Sequence, residues 1–425
     1  MNAINTKVVS EKKQALWNTL GLTAILAGNY LILIFLLRME AFSDAGIFSL
    51  CLAVVAIFQE IAACNVRTFQ IADNYTRFSE SAYIFARFFS ILISFICYFI
   101  FLLYIRYDWK TVLSMTLFLL SQNIGIFFDV FTTKIQIQKR LDILGKGYLL
   151  SSLCSVIVFI TTYFFYQNIV FAFLARMLFS IIFSIMFTFF SYRKIIGLFF
   201  LNRIEYKKTH IKSACSLLKV CFPLFVSVLL VPLLSAFPKI LLERYTDIDV
   251  VGILAALSTP AVLVPTVAAS FFAPYILRFT DLFGKGKYLT ILKNIFRIAL
   301  LIFGGCTLAL LLNSVVGLKI FQLVYGNKIT DYFPFFTPIL IAYFILAFST
   351  IITTILIIAD RRKFILLSSI IVTIISYILS AYLIKNLALY GACLSILLTN
   401  LLQAIILSCG LLKACNIIKG LGNNV

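Results

Sequence analysis

Apolar residues run along this chain in about twelve stretches, each close to the ~20 residues that a helix needs to cross ~30 Å of hydrocarbon. They predict membrane spans near Leu16–Leu37, Gly46–Cys64, Tyr83–Ile105, Val112–Thr133, Leu149–Phe165, Phe171–Phe190, Leu218–Leu242, Val251–Phe272, Leu289–Leu312, Phe335–Ile358, Ile365–Ile384 and Leu389–Leu411. The polar gaps are short except the central one, Ser191–Ser216. The expected fold is therefore an all-α polytopic membrane protein of two six-helix lobes, residues 1–190 and 217–425, joined by a basic linker at 191–216.

The polar gaps are not equivalent. If the N-terminus is cytoplasmic, 25 of the 36 Lys and Arg fall in cytoplasmic gaps and seven in external ones. Flanking charge of that asymmetry sets orientation, so both ends are expected in the cytoplasm. The remaining four, Arg87, Arg176, Lys239 and Arg297, lie inside apolar stretches with the acids Glu60 and Asp129.

Composition agrees: 62% of residues are hydrophobic, 12% are charged, and the mean hydropathy is +1.07. A net charge of +20 could suggest nucleic acid, but the excess is confined to short loops beside the bilayer, where it faces anionic lipid headgroups. Membrane lipids are thus the expected partner of that charge, and nucleic acid is not. The ten Cys contain no CxxC pair and lie mostly within apolar stretches, and the single His is His210. That pattern points to no metal site, no disulfide framework and no His-dependent catalysis, so neither a cofactor nor an enzyme is expected. The basic N-terminus runs directly into a full-length apolar stretch, unlike a cleavable signal peptide.

The two halves echo one another. Arg77-Phe78-Ser79-Glu80 corresponds to Arg278-Phe279-Thr280-Asp281, Gly46-Ile47-Phe48 to Gly252-Ile253-Leu254, and Leu149–Ser152 to Leu366–Ser369. Each pair joins topologically equivalent positions about half a chain apart, as a parallel six-plus-six repeat would. Proline breaks the symmetry: all eight (Pro223, Pro232, Pro238, Pro260, Pro265, Pro274, Pro334, Pro338) lie in the second half. They read either as ordinary membrane-helix prolines or as a sign that the seventh and eighth spans are bent, cavity-lining gate helices.

Charges inside spans are site candidates because burying them is costly. Arg87 and Arg297 lie near cytoplasmic ends and can snorkel to the headgroups. Arg176 is several residues into its span with no charge nearby in sequence, and Lys239 shares a helix face with Pro232, Ser235 and Glu243. Polar residues recur at helical spacing in two spans: Gln122, Gly125, Asp129, Thr132 and Gln136 in the fourth, and Ala53, Ala56, Glu60, Cys64 and Arg67 in the second. Such stripes must face protein or water, as an interhelical seam or as a hydrophilic cavity whose carboxylates bind a coupling cation. Gly145-Lys146-Gly147 and Gly284-Lys285-Gly286 read as interhelical turns or, alternatively, as phosphate cradles.

Several segments carry a family resemblance. Leu37–Leu50 (LRMEAFSDAGIFSL), Arg67–Asp73 (RTFQIAD), Phe128-Asp129 with Lys134–Asp142 (KIQIQKRLD), and Phe222-Pro223-Leu224 leading to Pro238-Lys239 resemble Wzx-type polysaccharide flippases. These belong to the multidrug/oligosaccharidyl-lipid/polysaccharide (MOP) exporter superfamily. The resemblance implies two six-helix lobes in a V around a cavity faced by the first, second, seventh and eighth helices. It also implies a substrate, an undecaprenyl-diphosphate-linked oligosaccharide moved to the outer leaflet of a bacterial cytoplasmic membrane. Glycosyltransferases and a polysaccharide polymerase of the same pathway are the implied partners. The matching candidates are Arg67, Arg176 and Lys239 for anionic substrate groups, with Glu60 and Asp129 for ion coupling. The rival readings are a drug/cation antiporter of the same superfamily and, more distantly, a polytopic polymerase or glycosyltransferase.

Overall fold

A computed structural model describes residues 10–73, 75, 77–196, 208–272 and 275–422. The centre of the 191–216 linker and Pro274 lie outside the described residues, where every regular element is helical. In the first half these are α1 (Glu11–Arg38), α2 (Phe42–Ala63), α3 (Val66–Asp73), α4 (Glu80–Tyr104), α5 (Trp109–Ile137), α6 (Leu141–Tyr166) and α7 (Ile169–Ile196). In the second half they are α8 (Lys208–Tyr245), α9 (Ile248–Ala261), α10 (Leu263–Phe272), α11 (Ile276–Gly284), α12 (Tyr288–Leu312), α13 (Leu318–Tyr325), α14 (Phe336–Ile358) and α15 (Arg362–Gly422). Among the described residues, eleven helical stretches are long and apolar enough to cross a membrane, and the last breaks into two at Ala388 (φ 49°). The twelve expected spans are therefore present.

Local chemistry sets many of the boundaries. Ser79 and Asp108 cap α4 and α5 by accepting bonds from the backbone N–H of Ala82 and Lys110. Gln167 ends α6 in the left-handed region (φ 46°). Cys64 and Asn65, with φ of 41° and 51°, break the second stretch into α2 and α3. The eighth stretch breaks at Val262, between α9 and α10. Pro265 has no N–H with which to continue the ladder to the Ala261 carbonyl. A π-type turn at Asn313–Gly317 joins α12 to α13, and a 3-10 segment at Asn327–Phe335 leads into α14.

By compactness the chain forms two units, one of Met1–Phe35 and Cys51–Pro232, the other of Leu36–Leu50 and Leu233–Val425. In the first unit α5 packs against α3, α4, α6 and α7. Tyr83, Val66, Phe131 and Leu217 form a buried cluster at one end of that bundle. Gly145 and Gly147 are interior residues of α6, not a turn: Gly145 lies against the Trp17 backbone of α1 and Gly147 against the Phe187 ring. A side chain at either position would push the helices apart, so these glycines serve close packing rather than phosphate binding. Gly284-Lys285-Gly286 does turn, with Gly286 at φ 64°.

In the second unit α14 packs against α9, α10, α12 and α15. The 36–50 hairpin tip also belongs here, with Gly46 against the Ile248 carbonyl and Gly252 against that of Phe42. The Arg38 guanidinium donates to the carbonyls of Leu323 and Val324, which the end of α13 would otherwise leave without partners.

Candidate functional site: a polar cavity in the first unit

A cavity of about 440 Å³ opens within the first unit, between α1, α2, α3, α5, α6 and α7. The predicted polar face of α5 lines it with Gln122, Gly125, Asp129 and Thr132. Four of the five candidates from the sequence meet there: Glu60 at the end of α2, Arg67 on α3, Asp129 on α5 and Arg176 on α7. Lys239 does not, because it lies on the last turns of α8 in the other unit.

One end of the cavity is an ion-paired network. Asp129 Oδ1 accepts from Arg67 Nη1 at 2.5 Å, and Asp129 Oδ2 from Arg87 Nη2 at 3.2 Å. Arg67 also donates to the Tyr148 hydroxyl (3.0 Å) and to Gln136 Oε1 (2.8 Å). Arg87 donates to the Ala63 carbonyl (2.6 Å), a group that the break after α2 releases from the helix ladder. Thr132 adds a hydroxyl to the carboxylate of Asp129. A second ion pair, Lys134 with Glu80, joins α5 to the start of α4 nearby.

Two sequence expectations change here. Arg87 is only 1% exposed, so it does not snorkel; its side chain turns inward to α5 instead of along its own helix toward the headgroups. Glu60 and Arg67 do not share one helix face, because the positive-φ residues Cys64 and Asn65 redirect the chain between them. Arg67 is bound by Asp129. Among the described residues the Glu60 carboxylate has no ion-pair partner, although it lines the same cavity.

Toward the other end stands Arg176. Its Nη2 donates to Asn29 Oδ1 of α1 at 2.9 Å, and its guanidinium lies 5.2 Å from the Phe118 ring centre. Its Nη1 is buried and has no hydrogen-bond partner among the described residues. With both carboxylates ionised, Arg67, Arg87 and Arg176 leave the region one positive charge in excess. The Arg67–Arg87–Asp129 network is itself net positive, and Arg176 and Glu60 each stand without an ion-pair partner among the described residues.

Hydroxyls fill much of the remaining wall, notably Ser151 and Ser155 on α6 and Ser180 and Ser184 on α7. These serines were not singled out from the sequence, yet a signal was there. Arg176, Ser180, Ser184 and Thr188 recur at steps of four, one polar face on an otherwise apolar helix, and all four line the cavity. The site thus offers a fixed cation with a spare donor, a row of hydroxyls, and one carboxylate free to hold a cation or a proton.

No protein-family model matches the chain, and no curated protein matches it. Solved structures do. An inward-facing multidrug resistance MATE family transporter of the MOP superfamily aligns with a TM-score of 0.63 and 13% identity, covering 98% of this chain and 97% of that one. The lipid II flippase MurJ, in an inward closed conformation, aligns with a TM-score of 0.63 and 16% identity, covering 95% and 90%. The eukaryotic MATE transporter AtDTX14 aligns at 0.59 and 11%, covering 96% and 98%. The chain is a multi-pass helical membrane protein with the fold shared by these MOP-superfamily transporters and the flippase.

Proposed function

We propose that the protein is a Wzx-type flippase that moves an undecaprenyl-diphosphate-linked oligosaccharide across a bacterial cytoplasmic membrane. The observation that carries this reading is Arg176: a buried guanidinium with an unused donor, in a cavity whose wall carries a row of hydroxyls among apolar side chains. A diphosphate bearing sugars cannot enter hydrocarbon unaided, since desolvating the ions alone costs on the order of tens of kcal/mol. A cationic donor beside Ser151, Ser155, Ser180 and Ser184 substitutes for that lost hydration, while the polyprenyl tail stays in lipid. MurJ, which has this fold, is described as a lipid II flippase, and that supports a lipid-linked substrate here. We further propose that the lobes are residues 1–190 and 217–425 and that glycosyltransferases and a polymerase of the same pathway are the functional partners.

The direct test is a proteoliposome assay in which a fluorescent polyprenyl-diphosphate oligosaccharide must reach the opposite leaflet. Protein-dependent movement of that lipid, without movement of a cationic dye, supports the flippase. Dye transport without lipid movement selects the drug/cation antiporter, the reading favoured by the unpaired Glu60 carboxylate.

Energy coupling, on this reading, falls to Glu60 before Asp129, because Asp129 is already neutralised by two guanidiniums. Glu60→Gln is expected to retain lipid binding and lose the response of flipping to an imposed proton or Na⁺ gradient. Flipping by Glu60→Gln that follows both gradients as in the parent protein would assign Glu60 a structural role.

Lys239, in the other unit, is proposed as a separate contact for anionic substrate groups; no hydrogen bond or ion pair engages its side chain among the described residues. Lys239→Ala is expected to reduce polysaccharide export at unchanged protein level, with Lys239→Arg retaining part of it. Full export by the alanine variant would make Lys239 an interfacial anchor.

Orientation follows the charge asymmetry. A single cysteine placed at Lys208 in a Cys-less background should resist an impermeant thiol reagent added outside the cell. Strong labelling from outside would reverse the topology.

A further inference from the structure

A second cavity, of about 780 Å³, lies wholly in the second unit between α10, α11, α12 and α14. Its chemistry is unlike that of the first. Most of the wall is apolar, with Val267, Phe271 and Phe272 of α10 facing Leu301 of α12 and Phe344 of α14. Small residues leave the slot open: Ala268, Gly305 and Ala347 stand where larger side chains would fill it. Gly305 is the clearest of these, since a side chain added there would project toward the Phe344 ring.

One end is cationic. Arg278 on α11 and Arg297 on α12 both line the slot, with Asn294 one turn from Arg297. Among the described residues neither guanidinium has a hydrogen bond or an ion pair, and no acid lines the slot. The helices α11 and α12 are joined by the tight turn at Lys285-Gly286-Lys287 and pack against each other, so these two arginines stand on adjacent helices. By helix rise, Arg278 lies about 9 Å and Arg297 about 14 Å from that turn.

Depth gives the pairing its meaning. The first turns of α12 carry Lys293, Asn294 and Arg297, and the uninterrupted apolar run begins at Ile298. Arg297 therefore stands on α12 where its polar first turns meet its apolar run, the pattern of a helix entering hydrocarbon, and Arg278 lines the same end of the slot. A cavity of this size, cationic at the interfacial end and apolar beyond it, complements an amphiphile with an anionic head.

We propose that this slot binds an anionic phospholipid of the leaflet adjoining the basic loops, its phosphate between Arg278 and Arg297 and an acyl chain along Phe271, Leu301 and Phe344. The site is independent of the polar cavity and does not rest on the transport reading. Because α10 follows the break at Val262, an occupied slot would brace α10 and α11 against α12 and α14. The bound lipid would act there as a structural ligand.

The test uses the full-length protein in bilayers with Trp17 and Trp109 replaced by Phe and a single reporter, Phe344→Trp. Brominated phosphatidylglycerol and brominated phosphatidylcholine are compared as quenchers across mixed compositions. Phosphatidylglycerol should be preferred, by about fivefold or more for each arginine engaged. Arg278→Gln with Arg297→Gln should bring the preference close to one, while Arg278→Lys with Arg297→Lys keeps most of it. Arg362→Gln, which removes an exposed charge at the start of α15, should leave it unchanged. Gly305→Leu, which fills the slot, should lower quenching by both lipids. Equal quenching by the two lipids in the parent reporter, or a preference that survives the double glutamine variant, would overturn the proposal. So would relief of quenching by equimolar polyprenyl diphosphate but not by unlabelled phosphatidylglycerol, which would give the slot to the tail of a transported lipid.

Discussion

Replacing Asp129 by alanine should destabilise the first unit by about 3–5 kcal/mol, the usual cost of breaking a buried ion pair from one side. The carboxylate holds two guanidiniums, and one of them, Arg87, is only 1% exposed. Removing the carboxylate strands that charge between α4 and α5 with the Ala63 carbonyl as its remaining partner. Arg67 suffers less, because Tyr148 and Gln136 still hold it and its side chain is 31% exposed. Thermal unfolding in detergent, followed by loss of the monodisperse peak, would measure the effect. Combining Asp129→Ala with Arg87→Met should recover much of the stability, since an apolar side chain in that place leaves no charge to satisfy. If the double variant is no more stable than Asp129→Ala alone, the destabilisation does not come from a stranded Arg87.

The contrast between Arg87 and Arg176 shows where sequence reasoning reached and where it stopped. Hydropathy and loop charge located all twelve spans because each depends on a local property, the length of an apolar run. The polar face of α5 was equally legible: residues spaced at three and four share a helix face whatever packs against it. What lies opposite that face is not local. Arg87 and Asp129 are 42 residues apart, and nothing in either segment marks the other as its partner. A rule based on depth alone therefore sent Arg87 to the headgroups.

The break between α2 and α3 failed for a different reason. Cys64 and Asn65 adopt positive φ although neither is glycine; Asn65, of a type that tolerates the left-handed region, was the one weak flag of the helix end. Extending one helical face from Glu60 to Arg67 followed directly from that. Similarly, Gly145 and Gly147 read as turn formers in one dimension, and only the approach of α1 and α7 shows them to be packing glycines. The resemblance to polysaccharide exporters concerned loops and span ends, and it carried no information on the serines of α6 and α7. Those had to come from their own spacing.

Arg176→Ala should reduce movement of the lipid-linked oligosaccharide by about 10- to 100-fold, the range expected for losing hydrogen bonds to a charged group in a desolvated site. Two features set this residue apart from the arginines bound by Asp129. It has no carboxylate partner, and it is held by Asn29 and Phe118 with one buried Nη donor left unused. Arg67 and Arg87 share the charge of Asp129, whereas Arg176 is pre-oriented and available to an incoming anion. Arg176→Lys should recover only part of the rate, because an ammonium cannot stack on Phe118 and present a planar pair of donors together. Arg67→Gln should act mainly on stability, through the Asp129 network, with a smaller effect on initial rate per folded molecule. Initial flipping rates in proteoliposomes, normalised to correctly folded protein, separate these outcomes. A parent-like rate for Arg176→Ala would remove the main support for an anionic substrate in this cavity. The unpaired Glu60 would then become its most reactive charge, and the cation antiporter the better account of the same polar walls.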